Sequence, residues 1–243
     1  MDLKKTRELV EAMNPVDALQ YIATLDEGDA YDKLKKKLKS EYSRLKDMRK
    51  FEEQVLAHGF TNPAGLDEAG RGPLAGPVVA AAVILPEEYM VYGLNDSKKL
   101  SEKRRNLLYK IITRDAVAYT IKQISNIEID RINILEATKK AMLQCVLDLE
   151  VKPGYLLVDA VGIDGTDIKQ AGIINGDGRS VSIAAASVLA KVYRDSIMYE
   201  YDSLYPEYGF CRHKGYGTPE HIAALKKFGP IKIHRRSFIK NIV

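Results

Sequence analysis

Two adjacent carboxylates, Asp67 and Glu68, stand directly before Gly70-Arg71-Gly72 in the segment Gly65-Leu-Asp-Glu-Ala-Gly-Arg-Gly72. Carboxylate oxygens suit hard divalent cations such as Mg²⁺ and Mn²⁺, which keep coordination positions open for phosphate oxygens. Glycines let main-chain N–H groups approach a polyanion closely, because no Cβ is in the way. Acids beside a phosphate-gripping backbone would repel their own ligand unless a cation lay between them. The pattern therefore points to metal-dependent phosphate chemistry, with a strand ending in a Gly/Pro turn and solvated acids as the plain alternative. The spacing excludes two familiar phosphate motifs. Gly70 is followed by Arg71-Gly72 rather than Lys-Ser/Thr, and Gly70, Gly72 and Gly76 give G-x-G-x-x-x-G, not G-x-G-x-x-G.

Two further acids could complete such a site. Asp159 closes the apolar run Tyr155-Leu-Leu-Val-Asp159, and Asp177 lies between glycines in Asn175-Gly-Asp-Gly178. Taken singly, each reads as a turn-forming acid. Together with Asp67 and Glu68 they come from three separated segments and matter only if the fold gathers them. Like charges at close range would then need a cation, and two divalent ions would orient a water and stabilise the leaving oxygen of an in-line displacement. Neighbouring strand residues point to opposite faces. Asp67 and Glu68 are thus expected to converge only where regular strand geometry fails at Glu68.

Other residues have weaker readings. Lys98 and Lys99, after Asp96-Ser97, are turn lysines or phosphate contacts. Tyr216 sits between Gly215 and Gly217, poorly placed for a core and well placed for stacking. Lys191, Arg194 and Asp195 read as supports around the site, ion-paired or otherwise, rather than catalysts. His213, His221 and His234 read as capping, packing or phosphate contacts. Cys211-Arg-His213 has no second pair to complete a zinc site.

The background is that of an ordinary globular chain: 243 residues, 46% hydrophobic, 29% charged, net charge +4. Charge is unevenly spread. Residues 33–50 hold nine Lys/Arg against two acids, and residues 211–243 hold eight against one. Two basic segments on a nearly neutral chain suggest a polyanion, nucleic acid first, although a solvated helix face is a fair rival for the first of them. Two cysteines build no disulfide framework, and neither a leader-like h-region nor an 18-residue apolar run occurs. A reducing cytoplasm, no membrane contact and a monomer are expected.

The elements that must position these residues can be read coarsely. Residues 1–61 read helical, broken at Asn14-Pro15, Gly28 and Gly59, with a long charged stretch from Ala30 to Leu56 expected to be an appendage. Strands are expected at Ala64–Asp67, Val78–Leu85, Ala116–Ile124 and Tyr155–Asp159, with a hairpin through Gly72–Pro77. Helices are expected from Ser101 to Thr113 with Leu107, Leu108, Ile111 and Ile112 on one face, from Ile127 to Leu149, from Ser182 past Tyr199, and after Thr218-Pro219. Antiparallel strands followed by strand–helix alternation indicate an α/β domain with a mixed sheet and a site at its edge.

The ordered motifs carry a resemblance. Leu66-Asp-Glu-Ala-Gly-Arg-Gly-Pro73, Asn95-Asp-Ser-Lys-Lys-Leu100, Leu157-Val-Asp159, Gly176-Asp177, the run Ser182 to Asp195, and His213 to His221 together resemble the ribonuclease HII (type 2 ribonuclease H) family from about residue 62 to the C-terminus. Arg71 and Asp177 favour it over the related ribonuclease HIII, which usually has Gly-Lys-Gly and a glutamate as its fourth acid. The resemblance implies a ribonuclease H-like mixed sheet flanked by helices at 62–243, with a C-terminal helical part and a helical N-terminal extension at 1–61 that many members lack. It implies Mg²⁺- or Mn²⁺-dependent hydrolysis of the RNA strand of RNA–DNA hybrids and of DNA duplexes containing ribonucleotides. The cut falls 5′ of the ribonucleotide and leaves a 3′-hydroxyl and a 5′-phosphate. It also implies that Asp67, Glu68, Asp159 and Asp177 are the catalytic, metal-holding acids. Gly70-Arg71-Gly72 would sense the ribose 2′-hydroxyl and grip phosphates, and Tyr216 would stack on the following deoxyribose. A non-catalytic nucleic-acid-binding protein and a metal-dependent phosphatase of small molecules are the alternatives.

Overall fold

The computed structural model describes residues 3–11, 13–25 and 29–243; Gly28, expected to break a helix, lies outside the described residues. Four helices come first: α1 (Leu3–Val10), α2 (Pro15–Ala23), α3 (Asp29–Met48) and α4 (Lys50–Ala57). Pro15 occupies the first turn of α2, where a missing N–H is harmless, and the Asn14 side chain accepts from Val16 N at 2.9 Å. Val10, Ala18, Ile22, Leu34 and Leu38 form a small core that Tyr92 of the main body closes. The end of the extension is no appendage. Leu45 and Met48 belong to the main core, and Val55 packs with Leu157, Ile173 and Ile183. Sparse apolar spacing on a charged background concealed this, because a single line of buried residues suffices for a helix that lies along a larger body.

A five-stranded sheet follows, β1 (Pro63–Ala69), β2 (Val78–Ile84), β3 (Ala118–Ile124), β4 (Tyr155–Asp159) and β5 (Gln170–Ile173), in the order β3-β2-β1-β4-β5. β1, β2 and β3 pair antiparallel, while β4 and β5 add in parallel to β1. The mixed sheet matches expectation. β5 was not foreseen, since Gln-Ala-Gly-Ile is short and has neither alternation nor an apolar run.

Strand alternation divides the sheet into two faces. Val79, Ala81 and Val83 face a core built with α5 (Glu102–Asp115) and α8 (Val181–Leu204). Val78, Ala80, Ala82 and Ile84, with Leu66, Leu156 and Val158, face α7 (Ile134–Leu147) on the other side. The small-residue start of α8 permits close approach: a Cβ on Gly65 would stand 2.1 Å from the carbonyl carbon of Ser182. Ser101 caps α5 as read, with Leu108, Ile111 and Ile112 buried, but Leu107 is 39% exposed. The helix expected from Ile127 to Leu149 is two, α6 (Asn126–Ile132) and α7. Asn133 separates them at φ +69°, with its side chain capping Leu135 N and Glu136 N. Three short helices finish the chain: α9 (Phe210–His213), α10 (Pro219–Phe228), capped by Thr218 as expected, and α11 (Arg236–Ile239). Among the described residues no helix is long and apolar enough to cross a membrane.

A candidate metal centre beside a phosphate-facing loop

β1 and β4 run parallel with Leu66 opposite Val158, so Asp67 and Asp159 are the next positions on neighbouring strands and share the α8 face. Asp177 arrives from the 3-10 turn Gly176–Gly178, which the Ser180 N–H closes onto Gly176 O just before α8. Asp67, Asp159 and Asp177 each bring a carboxylate oxygen within 4.8 Å of the others. Gly176 N donates to Asp159 Oδ1 at 2.8 Å, tying the turn to the strand end. A Cβ on Gly176 would meet Ile183 Cδ1 at 2.6 Å and Asp159 Oδ1 at 3.3 Å, so glycine is required for the approach.

Glu68 differs from expectation. β1 continues regularly through it, with Asp67 opposite Ala81 and Glu68 opposite Ala80, so no break turns the two acids to one side. Glu68 is accordingly outside the close trio, and its Oε1 lies 3.4 Å from Arg71 Nη1. It still shares the field of the trio: burial, followed by the charge of Asp159, raises its carboxyl pKa even against Arg71.

The electrostatics call for a cation. Burial, then the charges of Glu68 and Asp159, hold the Asp67 carboxyl well above the usual carboxylate range. Asp177 is also raised, by burial and then by Asp96 and Asp159. The nearest positive side chain to Asp177 is Lys98, whose Nζ is 3.7 Å from Oδ2. Burial works against the Lys98 charge, yet Asp177, Asp67, Asp96 and Asp159 outweigh it and hold the ammonium above its ordinary value. A trio of hard oxygen donors, crowded and short of counter-charge, fits Mg²⁺ or Mn²⁺ in both ligand type and sign.

The lysine turn is built by residues that sequence reasoning had not assigned. Asp96 caps the 3-10 turn Ser97–Lys99 by accepting from Lys98 N at 2.9 Å, and its Oδ2 lies 3.6 Å from Lys99 Nζ. Ser97 Oγ meets Ser187 Oγ of α8 at 2.8 Å, which ties the turn to the helix. Arg105 donates to the carbonyls of Ser97 and Leu100 and lies 3.9 Å from Asp195, which also pairs with Lys191 at 2.7 Å. Lys191 and Asp195 thus form an ion pair behind the turn. Arg194 is hydrogen-bonded to the carbonyls of Pro77, Lys214 and Ala75, with no acid paired to it among the described residues.

The glycine loop closes the site on its other side. Gly70 has φ +98°, and a Cβ there would meet Arg194 Nε at 2.1 Å, so both conformation and space demand glycine. Tyr216 is 45% exposed, and its ring carbon Cε1 would lie 3.6 Å from a Cβ on Gly72, which makes ring and loop one continuous surface. The Tyr216 backbone is fixed from behind: its N–H donates to His213 O and its carbonyl accepts from His221 Nδ1 at 2.9 Å. The C-terminal basic segment needs correction as a polyanion surface. Arg235 is fully buried and Lys214 is 9% exposed, so part of that charge faces inward. Net charge by segment carries no signal that distinguishes the two.

Comparison with known proteins gives an independent finding. The family model for ribonuclease HII matches residues 64–241. The chain is 49% identical over 251 residues to ribonuclease HII of Ruminiclostridium cellulolyticum, covering 100% of this chain and 98% of that one. It is 48% identical over 250 residues to ribonuclease HII of Clostridioides difficile, with coverage of 99% and 98%. These matches extend through the N-terminal helices. Among solved structures, ribonuclease H2 from Pyrococcus horikoshii superposes with a TM-score of 0.63 at 26% identity, covering 74% of this chain and 96% of that one.

Proposed function

The chain belongs to the ribonuclease HII family, and from that premise we propose that it is a metal-dependent endoribonuclease acting on RNA–DNA hybrids and on ribonucleotides embedded in duplex DNA. The observation that carries this reading is the Asp67–Asp159–Asp177 trio beside Gly70-Arg71-Gly72 and Tyr216. Asp67, Asp159 and Asp177, with Glu68 at their edge, hold Mg²⁺ or Mn²⁺. The chemistry such ions supply when bound is activation of a water and neutralisation of charge developing on the phosphate.

The chain's own residues do the rest. Backbone N–H groups and the guanidinium of Gly70-Arg71-Gly72 engage phosphate and the ribose 2′-hydroxyl, the one group that separates RNA from DNA at a given position. Tyr216 offers a flat, half-exposed ring on which the sugar after the ribonucleotide stacks. Lys98 and Lys99 balance charge on the opposite rim, where phosphates of the substrate run. The cut falls 5′ of the ribonucleotide and leaves a 3′-hydroxyl and a 5′-phosphate. The enzyme works as a cytoplasmic monomer, with residues 1–61 as a helical extension to the catalytic domain at 62–243.

The test is incubation with a duplex carrying one ribonucleotide, with Mg²⁺, Mn²⁺ or EDTA, and mapping of the ends. A single cut at the 5′ side of the ribonucleotide, lost in EDTA, supports the reading. Salt-sensitive binding without cleavage under any metal would instead indicate a non-catalytic nucleic-acid-binding protein.

A further inference from the structure

Arg235 has no solvent exposure and, among the described residues, no carboxylate within 4.0 Å, an expensive place for a charge unless something specific holds it. Four carbonyls do so. Its Nη2 donates to Gly70 O at 2.6 Å and Pro77 O at 3.1 Å, its Nη1 to Arg71 O at 2.8 Å, and its Nε to Gly76 O at 3.0 Å. Burial and the like charge of neighbouring Arg194 disfavour the guanidinium, and the four carbonyls satisfy the donors that burial takes from water.

The orientation of those carbonyls has a chemical result. The described residues contain no cis peptide bond, and in a planar trans peptide the C=O and the N–H of the same group point in opposite directions. Holding Gly70 O inward turns the N–H of Arg71 outward; holding Arg71 O inward turns the N–H of Gly72 outward. Neither N–H has a hydrogen-bond acceptor among the described residues, whereas Leu74 N and Gly76 N, further along the same loop, donate to Gly215 O and Ile233 O. Two successive outward N–H groups with a buried cation behind them make an anion-binding concavity.

We propose that Arg235 is a positioning residue for catalysis: by pinning the carbonyls of Gly70 and Arg71 it aims the amides of Arg71 and Gly72 as a paired site for a substrate phosphate flanking the scissile bond. This rests on the ribonuclease reading above and adds to it a residue 164 positions beyond Arg71 in sequence. The backbone of the same residue also couples the loop to the Tyr216 segment, because the Arg235 main-chain N–H donates to Leu74 O while Leu74 N donates to Gly215 O. Lysine cannot replace it, since an ammonium is a point donor and does not span four carbonyls in a fork.

The test is Arg235→Lys in the full chain, assayed for kcat and KM on a duplex with one ribonucleotide. Alongside, affinities for that duplex and for the matching all-DNA duplex are measured in an Asp67→Asn background that cannot cut. The expected result is a rise in KM and a loss of at least tenfold in affinity for both duplexes, as loss of a phosphate contact requires, with Mn²⁺ binding to the acidic trio unchanged. A folded variant that is merely less heat-stable, with KM and both affinities as in the wild type, overturns the proposal. Should Arg235→Lys fail to fold, amide NMR of the Asp67→Asn protein decides: Arg71 and Gly72 signals must shift on adding the ribonucleotide duplex, and unmoved signals overturn the proposal. A wild type that cuts nothing would sink the ribonuclease reading itself, which is a separate outcome.

Discussion

His234 donates from Nε2 to Nε2 of His221 across 3.0 Å. The direction follows from the network, because Ile231 N donates to His234 Nδ1 and leaves the proton on Nε2. His221, accepting on Nε2, must carry its proton on Nδ1, which donates to Tyr216 O. Both rings are therefore neutral, buried, and part of the scaffold of the stacking tyrosine. This refines the sequence reading of these histidines as capping or packing residues.

That pair makes stability pH-dependent. Burial, then His221, lowers the His234 pKa from 6.5 to about 4, and burial lowers His221 as well. Between those values the unfolded chain binds more protons than the folded one, so stability is complete above pH 6.5 and lost as pH falls toward 4. The His234 share amounts to about 3 kcal/mol. Denaturant unfolding of wild type and His234→Gln from pH 7.5 to 4.5 measures it; a difference between the two that does not narrow on acidification contradicts the assignment.

Asp67→Asn removes one member of a crowded buried trio. Turnover should fall by on the order of 10³-fold or more, equivalent to at least about 4 kcal/mol of transition-state stabilisation. Metal-free stability should rise, because repulsion and the burial of a charge are both relieved. A rise of ~1 kcal/mol would appear as a Tm gain of about 2–4 °C. Calorimetry in EDTA, with single-turnover assays in Mg²⁺, checks both; wild-type rates would remove Asp67 from the site.

Divalent metal should bind more weakly as pH falls, since Asp67 and Asp177 both hold protons more tightly than free carboxylates and must release them to bind. At ~100 times its Kd, a cation stabilises the fold by about 2.7 kcal/mol. Thermal melts in Mn²⁺ at several pH values should show a shift that shrinks on acidification and vanishes in Asp177→Asn.

Tyr216→Ala should lower kcat/KM on a single-ribonucleotide duplex about tenfold, in line with ~1–3 kcal/mol for a stacked ring. Tyr216→Phe should stay near wild type, and neither should move stability by more than about 0.5 kcal/mol, given the exposure of the ring. Equal losses on the single-ribonucleotide duplex and on a continuous RNA–DNA hybrid would argue against a junction role.

Glu52 ties the extension to the start of α8. Its Oε1 accepts from Ser180 Oγ at 2.5 Å, Ser182 Oγ at 2.6 Å and Ser182 N at 3.0 Å, at the start of α8. Glu52→Ala orphans these buried donors and should cost about 2–4 kcal/mol, whereas Glu52→Gln, which keeps an acceptor, should cost less. An unchanged urea midpoint for Glu52→Ala would show that α4 contributes no such cap.

The sequence by itself determined the local chemistry and the local elements. Asp67, Asp159 and Asp177 were visible as acids at strand ends or between glycines, Ser101 and Thr218 as caps, Gly70 as a backbone requirement, and the ordered motifs pointed to a family. These are legible because capping, glycine conformations and apolar runs act over a few residues. Only the tertiary structure decided that β4 lies beside β1, which turns three distant acids into one site and leaves Glu68 on the opposite strand face. It likewise decided that Arg235, counted with surface charge, lies buried behind Gly70 and Arg71, and that α4 packs onto α8. Such relationships depend on strand order and packing between segments 90 or more residues apart, and no spacing along the chain encodes which carbonyl a buried side chain will meet.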